Sequence, residues 1–182
     1  MSLDALLLAA HLLTVLTMLA GLVTDWIGVL ALRGATTLPK ARKGLKALEV
    51  SAAFGVWGRL GALASGLWLA IHAWSWEGWI ITGLIGWTAI IALGEPLTGK
   101  ELRHMAKAVR DADGELPSRI HDPRLWSSVV TRTGVIAAVA TSMIGKPGLA
   151  ACLGLLAAVY LVGAVAARLT APARTPHARG VK

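Results

Sequence analysis

Cysteine is nearly absent from this chain of 182 residues. Cys152 stands alone, which excludes a disulfide framework and any Cys-rich zinc or iron–sulfur centre. Charge is scarce as well: 15% of the residues are Asp, Glu, Lys or Arg, against about 25% in an ordinary soluble domain. Acids are the rarer sign, ten against eighteen basic residues, for a formal net charge of +8. Such a surplus can point to nucleic acid, but here the cations fall between long apolar runs, as they do in loops between membrane spans. Nucleic acid is therefore excluded as the partner, and lipid is the expected surrounding. Motifs of soluble enzyme chemistry are missing too. The sequence holds no Walker loop, no dinucleotide-binding glycine motif after a strand, no metalloprotease histidine pair and no Gly-x-Ser-x-Gly elbow. No residue can be named as catalytic on these grounds, and no internal repeat is visible.

What the chain does have is apolar length. Hydrophobic residues make up 55% of it and the mean hydropathy is +0.64. Five stretches suffice to cross a bilayer, for which about 20 residues are needed: Ala5–Leu32, Ala47–Trp74, Gly78–Leu97, Leu125–Ile144 and Leu149–Ala167. The opening Met1-Ser2-Leu3-Asp4 lacks the positive start of a signal peptide, so the first span is expected to persist. The expected fold is all-α, a polytopic membrane protein with one transmembrane bundle over residues 1–169. A short basic tail over residues 170–182 is expected to be disordered.

The cations set the orientation. The first loop is expected to hold Arg33, Lys40, Arg42, Lys43 and Lys46, and the third Lys100, Arg103, Lys107, Arg110, Arg119 and Arg124. The tail adds Arg168, Arg174, Arg179 and Lys182, so that fifteen of the eighteen basic residues share one side. Five spans with the amino terminus outside and the carboxyl terminus inside put all fifteen in the cytoplasm, as the positive-inside tendency requires. Trp74, Trp76 and Trp79 then mark the outer turn between spans two and three, and Trp126 the cytoplasmic start of span four. The charged stretch from Gly99 to Gly114 reads as a helical continuation of span three.

The polar residues inside the spans are the candidate functional groups. In span one, His11, Thr14, Met18, Gly21, Asp25 and Gly28 recur at 3-4-3-4-3 spacing, which places them on one helical face. That face is either a close-packing stripe or the lining of a site. Gly58, Ala62 and Gly66 form a second small-residue ladder in span two, a face through which the chain could also meet another copy or a membrane-protein partner. Asp25, Arg59, Glu95 and Arg132 all fall in the cytoplasmic half of the bundle and balance in charge. They read as a structural ion-pair network or as a proton or anion pathway. Near the outer side lie His11, His72 and Met143. Neutral imidazoles on two helices can ligate heme b, or join methionine in holding copper.

Several short runs carry a resemblance. Ala10-His11-Leu12-Leu13, Ser65-Gly66-Leu67-Trp68-Leu69-Ala70 and Trp76-Glu77-Gly78-Trp79-Ile80 occur with Asp122-Pro123-Arg124-Leu125-Trp126-Ser127-Ser128 and Met143-Ile144-Gly145-Lys146-Pro147-Gly148. Together they resemble a family of bacterial integral-membrane proteins frequent in high-GC actinobacteria, distantly similar to the copper-resistance D (CopD) and HemJ proteins. The resemblance covers most of the chain and implies a bacterial inner-membrane location. It implies copper handling or heme-associated chemistry, with His11 in the place of the early first-span histidine. The aromatic-glycine step that follows that histidine is Thr17-Met18-Leu19-Ala20-Gly21 here. Three expectations result: a heme- or copper-binding bundle with His11 and His72 as ligands, a proton-coupled transporter using Asp25, Glu95, Arg59 and Arg132, and a non-catalytic membrane scaffold.

Overall fold

The structure is a computed structural model, and it describes residues 2–94, 99–112 and 123–169. The described residues form six α-helices, and no strand is found among them. These are α1 (Leu3–Arg33), α2 (Leu38–Leu69), α3 (Gly78–Gly94), α4 (Lys100–Arg110), α5 (Pro123–Gly145) and α6 (Leu149–Leu169). Ser2 caps α1, its Oγ accepting from the Ala5 amide at 3.3 Å, and Asp4 in the first turn complements the helix dipole. Gly34 closes the helix, its N–H reaching back to the Leu30 carbonyl.

Three helical segments are long and apolar enough to cross a membrane: Leu3–Arg33, Leu38–Trp74 and Leu125–Gly145. Gly78–Ala92 and Leu149–Val165 are shorter apolar helices. At about 1.5 Å per residue the 31 residues of α1 reach about 46 Å, well past the roughly 30 Å of a hydrocarbon core. The burial pattern suits lipid rather than water. His11 and Asp25 of α1 are buried, while Leu12, Leu13, Leu16, Val23 and Ile27 of the same helix face outward.

Two groups of helices make the bundle. α1 packs along the whole of α2, and α5 packs against α6 and α3. The first pairing depends on small residues, as the span-one stripe suggested. A Cβ on Gly58 would stand 2.7 Å from the Met18 amide nitrogen and 2.9 Å from its Cα, both backbone atoms, so only glycine fits this crossing. Gly66 likewise lies under the His11 ring. The Gly58/Ala62/Gly66 ladder is therefore occupied within the chain, by α1.

Two apolar clusters mark opposite ends of the bundle. At the end where α1 finishes and α2 begins, Val29, Leu32, Leu45, Leu48, Met105, Val109, Leu125 and Val129 are buried together. Trp26 meets Trp126 edge to face there, with centroids 5.2 Å apart, and the Arg33 guanidinium sits 4.4 Å over the Trp126 ring. At the other end, Ala70, Trp79, Ile80 and Cys152 pack with Trp74 and Met143. A third cluster, Ile90, Val135, Ala138 and Leu156, joins α3, α5 and α6.

The structure corrects two local expectations. Lys40, Arg42, Lys43 and Lys46 are not in a loop but in the first turns of α2, because Ala41, Gly44, Leu45 and Leu48 form an i, i+3, i+4, i+7 stripe buried against α1. The stretch after Gly99 is helical as expected, but the helix stops short of Gly114. This α4 ends at Arg110 with Asp111 as its cap, and buries Met105 and Val109. The expected tail over residues 170–182, Glu95 and the loop residue Arg119 lie outside the described residues. One feature had no signal in the pattern: α2 runs on through a π-helical turn, Ala70–Trp74, and stops at Ser75 with φ 61° and ψ 176°. That backbone region is one that glycine favours, and wide turns of this kind recur at functional sites.

Candidate functional site

Asp25 is the buried acid of α1, and α2 and α5 both address it. The Ser51 hydroxyl donates to Asp25 Oδ1 at 2.6 Å and also lies 2.8 Å from the Gly21 carbonyl. Arg132 of α5 donates through Nη1 to Asp25 Oδ2 at 2.8 Å. Both carboxylate oxygens are thus engaged by separate helices, and the pair ties the α1–α2 group to α5. Arg132 Nε turns to the Ser128 carbonyl of its own helix at 3.4 Å. Arg132 Nη2 is buried with no acceptor among the described residues. Arg59 lines the same cavity, which has a volume of about 110 Å³. Its backbone carbonyl accepts from the Trp87 indole at 3.0 Å, a link from α2 to α3.

A second cavity, of about 160 Å³, lies further toward the Trp74–Trp79 end. Its walls are almost wholly apolar and include Trp74, Trp79, Trp87, Gly83 and Met143; His11 supplies the polar group. Two of the indoles direct their N–H elsewhere, Trp79 to Glu77 Oε2 at 2.6 Å and Trp87 to Arg59. Met18, Ile90 and Ile136 line both cavities, so the two are stacked along the groove between the helix groups with these three side chains between them.

Hydrogen bonding fixes the state of the His11 ring. Ser65 Oγ has one proton, and it goes to the Gly61 carbonyl at 2.6 Å. His11 Nδ1 lies 3.0 Å from the same oxygen, so Nδ1 carries the ring proton and donates it to Ser65. Nε2 is then the lone-pair nitrogen.

The comparisons with family models, with curated proteins and with solved structures gave no match. The geometry alone must carry the functional reading.

Of the residues singled out from the sequence, His11 and Met143 share one cavity, and Asp25, Arg59 and Arg132 share the other. His72 lines neither. It is exposed on the π turn, stacked 4.3 Å from the Trp68 ring, and its Nδ1 lies 3.0 Å from the Trp68 carbonyl. Among the described residues no three His, Cys, Asp or Glu side chains converge as a metal cluster. Cys152 is buried, with Sγ 3.5 Å from the Pro147 carbonyl. Sequence reasoning missed Ser51 entirely and gave Ser65 no role at a site. A serine in an apolar helix carries no signal of its own until the register against α1 is known. Met18 was visible in the polar stripe of α1, about two turns from His11, but not as a wall of both cavities.

Proposed function

We propose that this chain is a multi-pass protein of a bacterial inner membrane that binds copper in its reduced state. His11 Nε2 and the Met143 and Met18 thioethers would supply the ligands. The observation that carries the reading is the pairing of Ser65 with His11. A ring that donates Nδ1–H to a fixed acceptor has its Nε2 lone pair oriented for a metal, the usual arrangement behind a ligating histidine. It does so in an apolar cavity walled by two thioethers, and soft ligands of this kind select Cu(I). Heme is less well served: the cavity is smaller than the roughly 300–1,000 Å³ of typical ligand sites, and His72 faces away from it.

Five spans with the amino terminus outside complete the proposal. The shorter helices α3 and α6 then cross with the other three, and Arg33 and the basic starts of α2 and α4 face the cytoplasm. The His11 cavity falls in the outer half of the membrane.

The test is Cu(I) loading of the full-length, detergent-purified protein under anaerobic reductant, followed by desalting and elemental analysis. Stoichiometric copper is expected, with loss in His11→Ala, affinity reduced roughly tenfold or more in Met143→Leu, and retention in His72→Ala. Wild-type protein holding no more copper than His11→Ala overturns the reading. An absorption spectrum before and after dithionite runs beside it, and a Soret band that shifts on reduction would return the cavity to heme.

A second reading, coupled transport of protons with a small solute, is favoured by the buried Asp25–Arg132 pair, since ionisable groups at membrane depth tend to mark a pathway. Proton or solute flux in proteoliposomes that vanishes in Asp25→Asn would support it.

A further inference from the structure

The basic end of the bundle carries its cations on packed helices. In the first turns of α2, Lys40, Arg42, Lys43 and Lys46 are exposed, while Ala41, Gly44, Leu45 and Leu48 between them are buried. α4 packs on α2, burying Met105 and Val109 and exposing Arg103, Lys107 and Arg110. Both helices share one buried cluster with Leu125 and Val129 of α5, so the seven cations stand on one ledge. They crowd one another. Lys40 and Lys43, Lys43 and Lys46, and Lys107 and Arg110 are three residues apart, while Arg42 and Lys46, and Arg103 and Lys107, are four apart. Like charges at these spacings repel along a helix. Among the described residues none of the seven is in an ion pair, and the exposed acids at this end are Glu49 and Asp111. Lys100 and Glu101 of α4 cancel in the charge count.

The level of the ledge follows from α1. Leu19, Val23, Ile27 and Leu30 recur on its outward face at three- and four-residue spacing and are all exposed. The face that suits lipid therefore runs to within one turn of Arg33. That last turn lies beside the start of α2: a Cβ on Gly28 would stand 2.6 Å from Leu48 Cγ, and one on Gly44 would stand 3.1 Å from the Leu32 amide nitrogen. Lys43 and Lys46 are thus level with the end of the lipid-facing stripe. Trp126, whose ring lies under the Arg33 guanidinium, marks the same boundary, as interfacial indoles do. We propose that the ledge binds the headgroups of anionic phospholipids in the adjoining leaflet. A soluble acidic partner would need the cations clear of the bilayer, and the apolar face of α1 at their level holds them against it. The proposal rests on the membrane-spanning part of the reading above and on neither cavity, so failure of copper binding would leave it standing.

The test offers full-length protein, in a mild nonionic detergent, phosphatidylglycerol and phosphatidylcholine of equal chain length in competition, with bound lipid read by native mass spectrometry. A preference for phosphatidylglycerol of about tenfold or more is expected at low salt, shrinking as salt is raised. Replacing Lys40, Arg42, Lys43 and Lys46 together by Gln, or Arg103 and Lys107 together by Gln, changes exposed side chains and leaves the buried stripes intact. Each variant should lose about fivefold of the preference per cation removed until none is left. Lys146→Gln, which removes a cation beside Trp79 at the opposite end, should leave it unchanged. Loss in either ledge variant supports the proposal, and should the fourfold variant fail to fold, the α4 variant decides alone. Equal retention of the two lipids by the wild type overturns the proposal. A preference that both ledge variants keep overturns it too, and the ledge would then be left to a soluble acidic partner. Retention of the expressed chain in carbonate-washed membranes tests the spanning reading separately.

Discussion

Breaking the Asp25–Arg132 pair from one side only should destabilise the fold far more than removing both charges. The contact is 2.8 Å, with the side chains 16% and 9% exposed, so solvent screening is slight. At a charge separation of about 4 Å and an effective dielectric constant near 20, the attraction is about 4 kcal/mol. Most of that offsets the cost of bringing the two charges out of water, so the pair itself adds little net stability. Asp25→Asn keeps the shape and can still accept from Ser51, but it strands a buried guanidinium, at an expected cost of about 3–5 kcal/mol. Arg132→Met strands the carboxylate at a similar cost. The double variant should then be less destabilised than either single one, so the coupling should exceed a single loss, about 3–5 kcal/mol. The assay is equilibrium unfolding of the four proteins in mixed micelles, read by tryptophan fluorescence. A coupling below about 0.5 kcal/mol would refute the reasoning, since a pair formed in the folded bundle could not be so weakly coupled.

Other expectations follow from single contacts. Gly58→Ala places a Cβ against the Met18 backbone and should cost roughly 1–3 kcal/mol, whereas Gly154→Ala, with open space around it, should cost nothing measurable in the same thermal unfolding experiment. Equal behaviour of the two would mean α1 and α2 do not cross there. Ser65→Ala removes the acceptor for His11 Nδ1 and should lower Cu(I) affinity about 10–100-fold with little change in unfolding temperature. Unchanged affinity would show that Ser65 does not orient the ring. A thiol introduced at Ser75, in the turn after the π segment, should react with impermeant maleimide from outside intact cells, and labelling only from the cytoplasmic side would invert the proposed topology.

Much of the helical layout was legible because membrane spans are written in composition. Apolar length alone located α1, α3, α5 and α6 to within a few residues, and the polar stripe of α1 correctly marked the face that packs against α2. The start of α2 was not legible in the same way. Its first turns combine four cations with Ala41, Gly44, Leu45 and Leu48, and a search for apolar runs passes over an amphipathic stripe. The helix of α4 was legible, but its buried Leu102, Met105, Ala106 and Val109 edge was hidden among charges.

For the candidate sites, sequence chose residues and structure chose partners. A histidine, an aspartate and two arginines in apolar helices stand out by cost alone, since each is expensive there. Depth along a span could be counted from the basic boundaries, and it brought Asp25, Arg59 and Arg132 to one level. Rotation about a helix axis and the order of neighbours could not be counted, because they depend on which side chains interlock across the bundle. His11 and His72 were equivalent by depth, yet the π turn and the stacking on Trp68 direct His72 outward while Ser65 and Gly66 hold His11 at a cavity. The hydropathy of the chain therefore determined that it is a bundle of apolar helices with a basic end. Only close packing, where a glycine meets a backbone or a serine meets a ring, decided which polar groups share a cavity.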